Sequence, residues 1–258
     1  MYFLDLQTLP ESPDADHAVG ETLAPGVHIE RRLILKLGLF GAAGLLLPGC
    51  LGTGAPAPAA AGAPLSVDEM IAILKPRAKE LVTSPVPDED AYLRMVAGIL
   101  ARVRQPAGGA PEKPVQFDPL FTERPLVVYQ IRMAPGAAIP LHDHRHYNGV
   151  IMGLSGDCRC QYYDILPPPG GGCWPAPDDV PPKGTDFTLR RTRDCVLSAG
   201  VIGSLSRRQN NIHELVAGPQ GAQLLDVFTF FAPNAGSHWI DRSGAGGGED
   251  GRVVARWR

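Results

Sequence analysis

Histidines at alternate positions within residues 136–164 constrain the fold of this sequence more than any other feature. Three of them lie between apolar, β-favouring segments: His142, His144 and His146. On one continuous strand, side chains two positions apart project from the same face. Five residues separate Gly136 from His142, and eleven separate His144 from Gly156. The stretch therefore predicts a β-protein with a metal site built on a strand.

This spacing resembles the first motif of the cupin β-barrels, from its opening glycine to its closing one. The exception is the glutamate of that motif, because Asn148 and Gly149 stand at its place here. A site with two histidines and no carboxylate on this strand needs a third ligand from elsewhere in the chain. The best candidate is His213, in the segment NNIHELVAG.

Several segments resemble the cysteamine dioxygenase and plant cysteine oxidase family of thiol dioxygenases. They are IPLHDH, a glycine-bearing hairpin pattern ending in YD, NIH, LLDVF and, upstream, SPVPDEDAYLRMVAGIL. The resemblance covers residues 66–240 and is most specific at IPLHDH and NIH. It implies a mainly β, cupin-type double-stranded β-helix, or jelly-roll, barrel with two N-terminal helices packed outside.

The same resemblance implies a chemistry. One Fe(II) would be held by His142, His144 and His213, and O2 would add to the sulfur of a small aminothiol or an amino-terminal cysteine, giving a sulfinic acid. Three neutral histidines also suit Zn, Cu or Ni, so iron follows from the resemblance alone. Two other functions stay open: a metal- or ligand-binding cupin lipoprotein without activity, and a cupin oxygenase acting on a non-thiol substrate.

Other candidate residues surround the predicted ligands. Asp226, in LLDVF, aligns with a family aspartate, and we expect it to orient a ligand histidine; otherwise it is an ordinary strand-end residue. Tyr147 is a candidate for positioning substrate or oxygen, as are Tyr162 and Tyr163, with core packing as the alternative. For His146 three roles stay open: a fourth metal ligand, a hydrogen-bonding neighbour of the ligands, or a residue at the rim of the site.

Where the family has Pro-Gly-Met, this chain has Arg145 followed by His146, Tyr147 and Asn148. Because these residues lie beside the predicted ligands, we expect the difference to affect the choice of substrate more than the fold. Arg145 either attracts a substrate carboxylate or is an exposed loop residue, and we expect His238 on the surface. Four cysteines lack the spacing of a zinc knuckle: Cys158, Cys160, Cys173 and Cys195. Outside the cytoplasm they could form disulfides, and we favour a bridge that involves Cys173.

The first 50 residues have the pattern of an export signal. Arg31 and Arg32 precede an apolar run that ends in LPGC, which resembles a twin-arginine signal joined to a lipoprotein processing site. The run is shorter than the about 18 apolar residues that a membrane span needs. We therefore expect an exported bacterial protein, periplasmic or membrane-anchored, that touches the membrane only through a lipid at Cys50.

The rest of the chain divides into a linker at 51–64, a cupin domain with its helices at 65–241, and a flexible tail at 242–258. Helices are predicted to start at Ser66 and Pro87, with Pro76 kinking or splitting the first. Short β-type runs begin at Leu126, and the proline-rich insertion 167–184 is expected to cover or shape the site. The last residues, VVARWR, are a candidate final strand.

Charge gives little reason to expect a macromolecular partner. The formal net charge is -3, and no basic run occurs, so nucleic acid is not an expected partner. We expect a monomer whose partners are a small thiol and O2. The 30 glycines and 26 prolines favour a loop-rich β structure over a helical bundle.

Overall fold

The computed structural model describes residues 62–106, 108–167, 183–233, 235–243 and 251–258. The predicted leader and nearly all of the linker lie outside these residues, as do most of the insertion and part of the tail. Two helices come first, α1 (Val67–Thr83) and α2 (Glu89–Leu100). Nine strands follow: β1 (Val115–Phe121), β2 (Leu126–Met133), β3 (Ala138–Asp143), β4 (Tyr147–Ile165), β5 (Asp186–Leu197), β6 (Ile202–Leu205), β7 (Ile212–Phe230), β8 (Ile240–Arg242) and β9 (Arg252–Trp257).

Two long strands, β4 and β7, form the centre of the fold. They pair antiparallel along nearly their whole length, and the pairing shifts register on both sides of Gly156. Gly156 and Gly221 have φ angles of 64° and 75°, and a Cβ on Gly156 would lie 2.2 Å from the Gly221 carbonyl oxygen. Only glycine fits this close approach in the left-handed region. β4 and β7 are therefore each one long strand that bends at its glycine.

The bend divides the sheet into two halves that share β4 and β7. In one half the order is β1, β2, β7, β4, β6, and in the other it is β3, β7, β4, β5, β9, β8. A bridge between His142 and Trp239 joins the end of the second half back to β3. Such a curled antiparallel sheet closes around an interior. The predicted fold, a mainly β cupin-type jelly-roll with two helices outside it, is confirmed.

Both helices pack on the outer face of the first half. Alternation along β2 sends Leu126 and Val128 to the helices, and Val127 and Tyr129 into the barrel. The Tyr92 hydroxyl of α2 lies 2.7 Å from the buried Thr229 hydroxyl of β7, which adds a polar contact to this apolar interface. Among the described residues, no helix is long and apolar enough to cross a membrane.

The helix starts agree with the sequence. Ser66 forms a capping box with Glu69, and Asp88 caps α2. The predicted split at Pro76 does not occur, because α1 continues through it. Leu74 and Ala78 on either side of that proline are buried, and their packing offsets the hydrogen bond that proline removes.

The final strand extends the barrel beyond the predicted boundary at residue 241. β9 pairs with β5 and with β8, and its Trp257 is buried against Phe187, with the rings 4.7 Å apart. Part of the predicted flexible tail is therefore a strand of the second half. Residues 244–250 are not among those described.

Candidate metal centre

Strand pairing brings together two histidines that lie far apart in the chain. His142 near the end of β3 is directly opposite His213 at the start of β7. A register shift between Ile139 and His142 changes the alternation, so that Ile139 and His142 both face the barrel although three positions separate them. His144 follows β3, and its amide donates to the Asn211 carbonyl, 2.7 Å away.

The three ring nitrogens converge on one point. The Nε2 atoms of His142 and His144 are 3.1 Å apart, those of His144 and His213 are 3.0 Å apart, and those of His213 and His142 are 3.1 Å apart. Three ligands at right angles, each about 2.1 Å from a metal, have nitrogens about 3.0 Å apart, whereas tetrahedral ligands are about 3.4 Å apart. The triangle therefore fits a metal held on one octahedral face.

The Nδ1 atoms of the three histidines have different surroundings, and those of His142 show where its proton lies. His142 Nδ1 lies 2.7 Å from the Pro140 carbonyl, which can only accept, so its proton is on Nδ1 and its Nε2 lone pair points into the triangle. His213 Nδ1 lies 3.7 Å from the Cys160 sulfur. His144 Nδ1 has no hydrogen-bond partner among the described residues, and its ring is held between Tyr147 and Phe228 at 4.3 and 5.6 Å.

Burial keeps the three imidazoles neutral. It lowers the pKa of His142, and it lowers the pKa values of His144 and His213 well below the ordinary range. Neutral imidazole is the form that binds a metal. Three uncharged rings whose Nε2 atoms meet cannot satisfy one another by hydrogen bonds alone, because in at least one of the three pairs two lone pairs or two N–H groups face each other. A cation at the centre of the triangle removes that conflict.

Comparisons with known proteins bear on the fold only. No protein-family model matches the sequence, and no curated protein matches it. Solved structures of cupin proteins are similar. The cupin domain of Cnp3 from Schizosaccharomyces pombe has a TM-score of 0.32 and 14% identity, over 46% of this chain and 66% of that one. KdgF from a Halomonas species has a TM-score of 0.31 and 14% identity, over 46% of this chain and 82% of that one.

A recombinant oxalate oxidase in complex with glycolate is also similar, with a TM-score of 0.33 and 17% identity, over 51% of this chain and 58% of the oxidase. This chain therefore spans less than two thirds of the length of the oxalate oxidase. Likeness at this level transfers no activity, substrate or metal.

His146 does not join the cluster, because the continuous strand predicted through it does not exist. β3 ends at Asp143, and a turn follows in which the Tyr147 amide donates to the His144 carbonyl at 3.3 Å. The His146 carbonyl accepts from the Phe231 amide, and its side chain is only partly buried. The turn places His144, but not His146, beside His142.

The position of the missing glutamate is filled by an aromatic ring. Val150 and Met152 pack toward the helices, so alternation places Asn148 on that side and Gly149 toward the barrel. A Cβ on Gly149 would lie 3.0 Å from the Phe228 ring. Phe228 therefore occupies the space beside His144 in which a fourth ligand would otherwise stand.

Aromatic side chains line the rest of the centre. The Trp239 ring lies 5.3 Å from His142, and Tyr147 stacks on Phe230 at 4.6 Å. The Tyr147 hydroxyl bonds the Ser237 hydroxyl, and burial raises the pKa of Tyr147. This tyrosine is thus a neutral group in contact with a ligand ring, and its positioning role stays a prediction.

Asp226 does not make the predicted orienting contact. Its neighbours Leu225 and Val227 face the helices, so Asp226 faces the barrel, where burial raises its pKa well above the ordinary range. The Nδ1 atoms of the ligand histidines have other partners or, for His144, none among the described residues. Among the described residues, the Pro140 carbonyl contacts Nδ1 of His142, and the Cys160 sulfur contacts Nδ1 of His213.

Sequence reasoning missed a buried ionic cluster beside the ligands. Asp143, between His142 and His144, is 3.1 Å from Arg145 Nε and accepts from the His238 amide at 2.8 Å. Its carboxylate also lies 3.1 Å from His238 Nδ1. Arg145 is 5% exposed, so the alternative of an exposed loop arginine is wrong, and His238 is held by Asp143 rather than free at the surface. The alternating charges in HDHR were the available sequence signal.

The described cysteines carry free thiols. Cys158 and Cys160 lie in the barrel interior on one face of β4, and Cys160 is directly opposite the partly buried Cys195 of β5. Cys173, which we expected in a disulfide, lies outside the described residues.

Proposed function

We propose that this protein is an Fe(II)-dependent thiol dioxygenase. The observation that carries the proposal is the triangle of three neutral histidine Nε2 atoms with no carboxylate among them. With three histidine ligands, a bound ion would keep coordination positions for substrates, as in non-heme iron oxygenases. The resemblance of IPLHDH and NIH to the thiol dioxygenases supports iron over the other metals that bind imidazole.

The net reaction adds both atoms of O2 to one sulfur. A thiol and O2 give a sulfinic acid, in which the sulfur loses four electrons and O2 gains them, so no further reductant is needed. A ferrous ion supplies the coordination positions and the redox chemistry that bring thiol and O2 together. No side chain is required as a nucleophile.

The residues of this chain hold and shield that centre. His142, His144 and His213 bind the metal, and the Pro140 carbonyl keeps the proton of His142 away from it. Phe228 and Trp239 lie against the ligand rings and exclude water. In this proposal Tyr147, whose ring lies 4.3 Å from that of His144, positions the substrate.

The test is oxygen uptake by protein that has been loaded with Fe(II) under anaerobic conditions. With a panel of small thiols, we expect one O2 consumed per sulfinic acid formed, and no uptake with Zn(II) in place of iron. Iron binding without uptake for any thiol would favour a non-catalytic binding protein. Uptake with phenolic or diketone substrates but not with thiols would favour the other oxygenase chemistry.

We also propose export and lipid attachment. The supporting pattern, Arg31 and Arg32 before an apolar run ending in LPGC, lies outside the described residues. In bacterial cells the wild-type chain should fractionate with membranes, and Cys50→Ala should not, because the processing cysteine is lost. Recovery of both chains in the soluble cytoplasmic fraction would contradict the proposal.

A further inference from the structure

One arginine inside the barrel has no counter-charge. The Nε, Nη1 and Nη2 atoms of Arg193 on β5 are all shielded from solvent, and among the described residues the Cys195 thiol lies beside them but no oxygen or nitrogen accepts from them. Its guanidinium lies over the ring of the fully buried Tyr162, with Cζ 5.0 Å from the ring centre. The Tyr162 hydroxyl is also buried, and among the described residues it meets the Cys160 thiol but no oxygen or nitrogen partner. These are unmet hydrogen-bonding groups on the interior face of the sheet.

This arginine belongs to the same cross-strand row as two of the metal ligands. His142 is opposite His213, His213 is opposite Tyr162, and Tyr162 is opposite Arg193. Adjacent strands lie about 4.8 Å apart, so the backbone of Arg193 is about 10 Å from that of His213. The rings of Tyr162 and His213 are 5.6 Å apart. The row therefore places the backbone of the guanidinium-bearing residue two strand spacings from that of a metal ligand, on the same face of the sheet.

The charge on Arg193 favours an anion at this place. Burial lowers the pKa of Arg193, yet a guanidinium keeps its proton in proteins, so the charge remains. The neighbouring Cys195 does not neutralise it, because burial raises the pKa of that thiol and a thiol is a weak acceptor. Arg145, the arginine singled out in the sequence, is already paired with Asp143. Arg193 is thus the better candidate for a ligand carboxylate.

We propose that Arg193 binds the carboxylate of the substrate, with the substrate sulfur directed to the histidine triangle. The inference rests on the proposed thiol chemistry and names its substrate class: small thiols that carry a carboxylate, cysteine included. A planar guanidinium binds a carboxylate through two parallel hydrogen bonds. A thiol whose far end is only an ammonium group places like charge beside an unpaired guanidinium and is disfavoured. Tyr162 supplies a hydroxyl to the same end of the ligand.

The matched probes are 3-sulfanylpropionate and cysteamine, which have the same two-carbon chain and differ in bearing a carboxylate or an ammonium group. Calorimetric titration of the full-length, Fe(II)-loaded protein without oxygen measures binding apart from turnover. We expect wild type to bind 3-sulfanylpropionate at least about tenfold more tightly than cysteamine. Arg193→Gln should weaken binding of the carboxylate about 10- to 100-fold, since a hydrogen bond to a charged group contributes about 1.5–3 kcal/mol.

Two further variants keep the test decisive. Arg191→Gln, on the same strand with its side chain 42% exposed, should leave both affinities unchanged. Arg193→Lys keeps the charge but not the paired hydrogen bonds, and should bind the carboxylate with intermediate affinity even if Arg193→Gln does not fold. Ligand-free Arg193→Gln should also melt about 2–4 °C higher than wild type, because an unpaired buried charge is removed.

Equal binding of both probes, or carboxylate affinity unaffected by Arg193→Gln, would overturn the inference. The proposed function fails separately: if neither thiol consumes O2 but carboxylate binding depends on Arg193, the anion site stands without the thiol chemistry. If both thiols are oxidised equally well by wild type and Arg193→Gln, the thiol chemistry stands and the anion site does not.

Discussion

Alanine at His142, His144 or His213 should each remove nearly all bound iron and all thiol-dependent oxygen uptake. The three Nε2 atoms form a triangle with edges of 3.0 to 3.1 Å, so each variant deletes one of three direct bonds to the metal. Loss of a residue that only supports a ligand typically weakens metal affinity or activity about 10- to 100-fold, and loss of a ligand should exceed that. Iron per chain, measured by elemental analysis after desalting, gives the result.

His146→Ala is the matched control, because it deletes the same side chain two positions from His144. It should retain its iron, since the turn after β3 takes His146 out of the cluster. Circular dichroism of all four variants checks that the barrel is folded. Full iron in His213→Ala, or iron lost in His146→Ala, would mean that the third ligand is assigned to the wrong histidine.

Asp143→Ala should destabilise the protein by about 3–5 kcal/mol, because it leaves a buried guanidinium without its partner. The side chains of Asp143 and Arg145 are 1% and 6% exposed, and the variant also removes the acceptor of the His238 amide. Arg145 lies over the Trp257 ring at 4.5 Å, so the damage should reach the terminal strand β9. Urea unfolding in the presence of a chelator measures this cost separately from any loss of metal.

Two variants identify the cause of that cost. Asp194→Ala breaks an ion pair with Arg159 on the outer surface, where the side chains are 31% and 57% exposed, and should change the unfolding midpoint little. The double variant Asp143→Leu, Arg145→Leu should recover most of the lost stability, because apolar side chains can replace a buried ion pair. If the double variant is as unstable as Asp143→Ala, the ion pair is not the reason for the loss.

Patterns within a few residues could be read from the sequence. The starts of α1 and α2 follow from Ser66 and Asp88, whose side chains cap the first turn. Short runs of β-branched and aromatic residues between prolines and glycines predicted the strands, and histidine spacing with the family resemblance predicted that His142, His144 and His213 meet. Local patterns could not show that β4 and β7 are each one long strand, because that depends on glycine contacts across the sheet at Gly156 and Gly221.

Which way a side chain faces, and what meets it there, was decided only by the tertiary structure. Alternation says that residues share a face, but not which face lies inside, and the register shift before His142 changes the alternation within β3. The same limit applies to charge: Arg145 looked available for a substrate and is neutralised by Asp143, whereas Arg193 lies 51 positions beyond His142 and enters the same row only through β7 and β4. Pairing between distant strands sets these neighbours, and the local sequence carries no record of it.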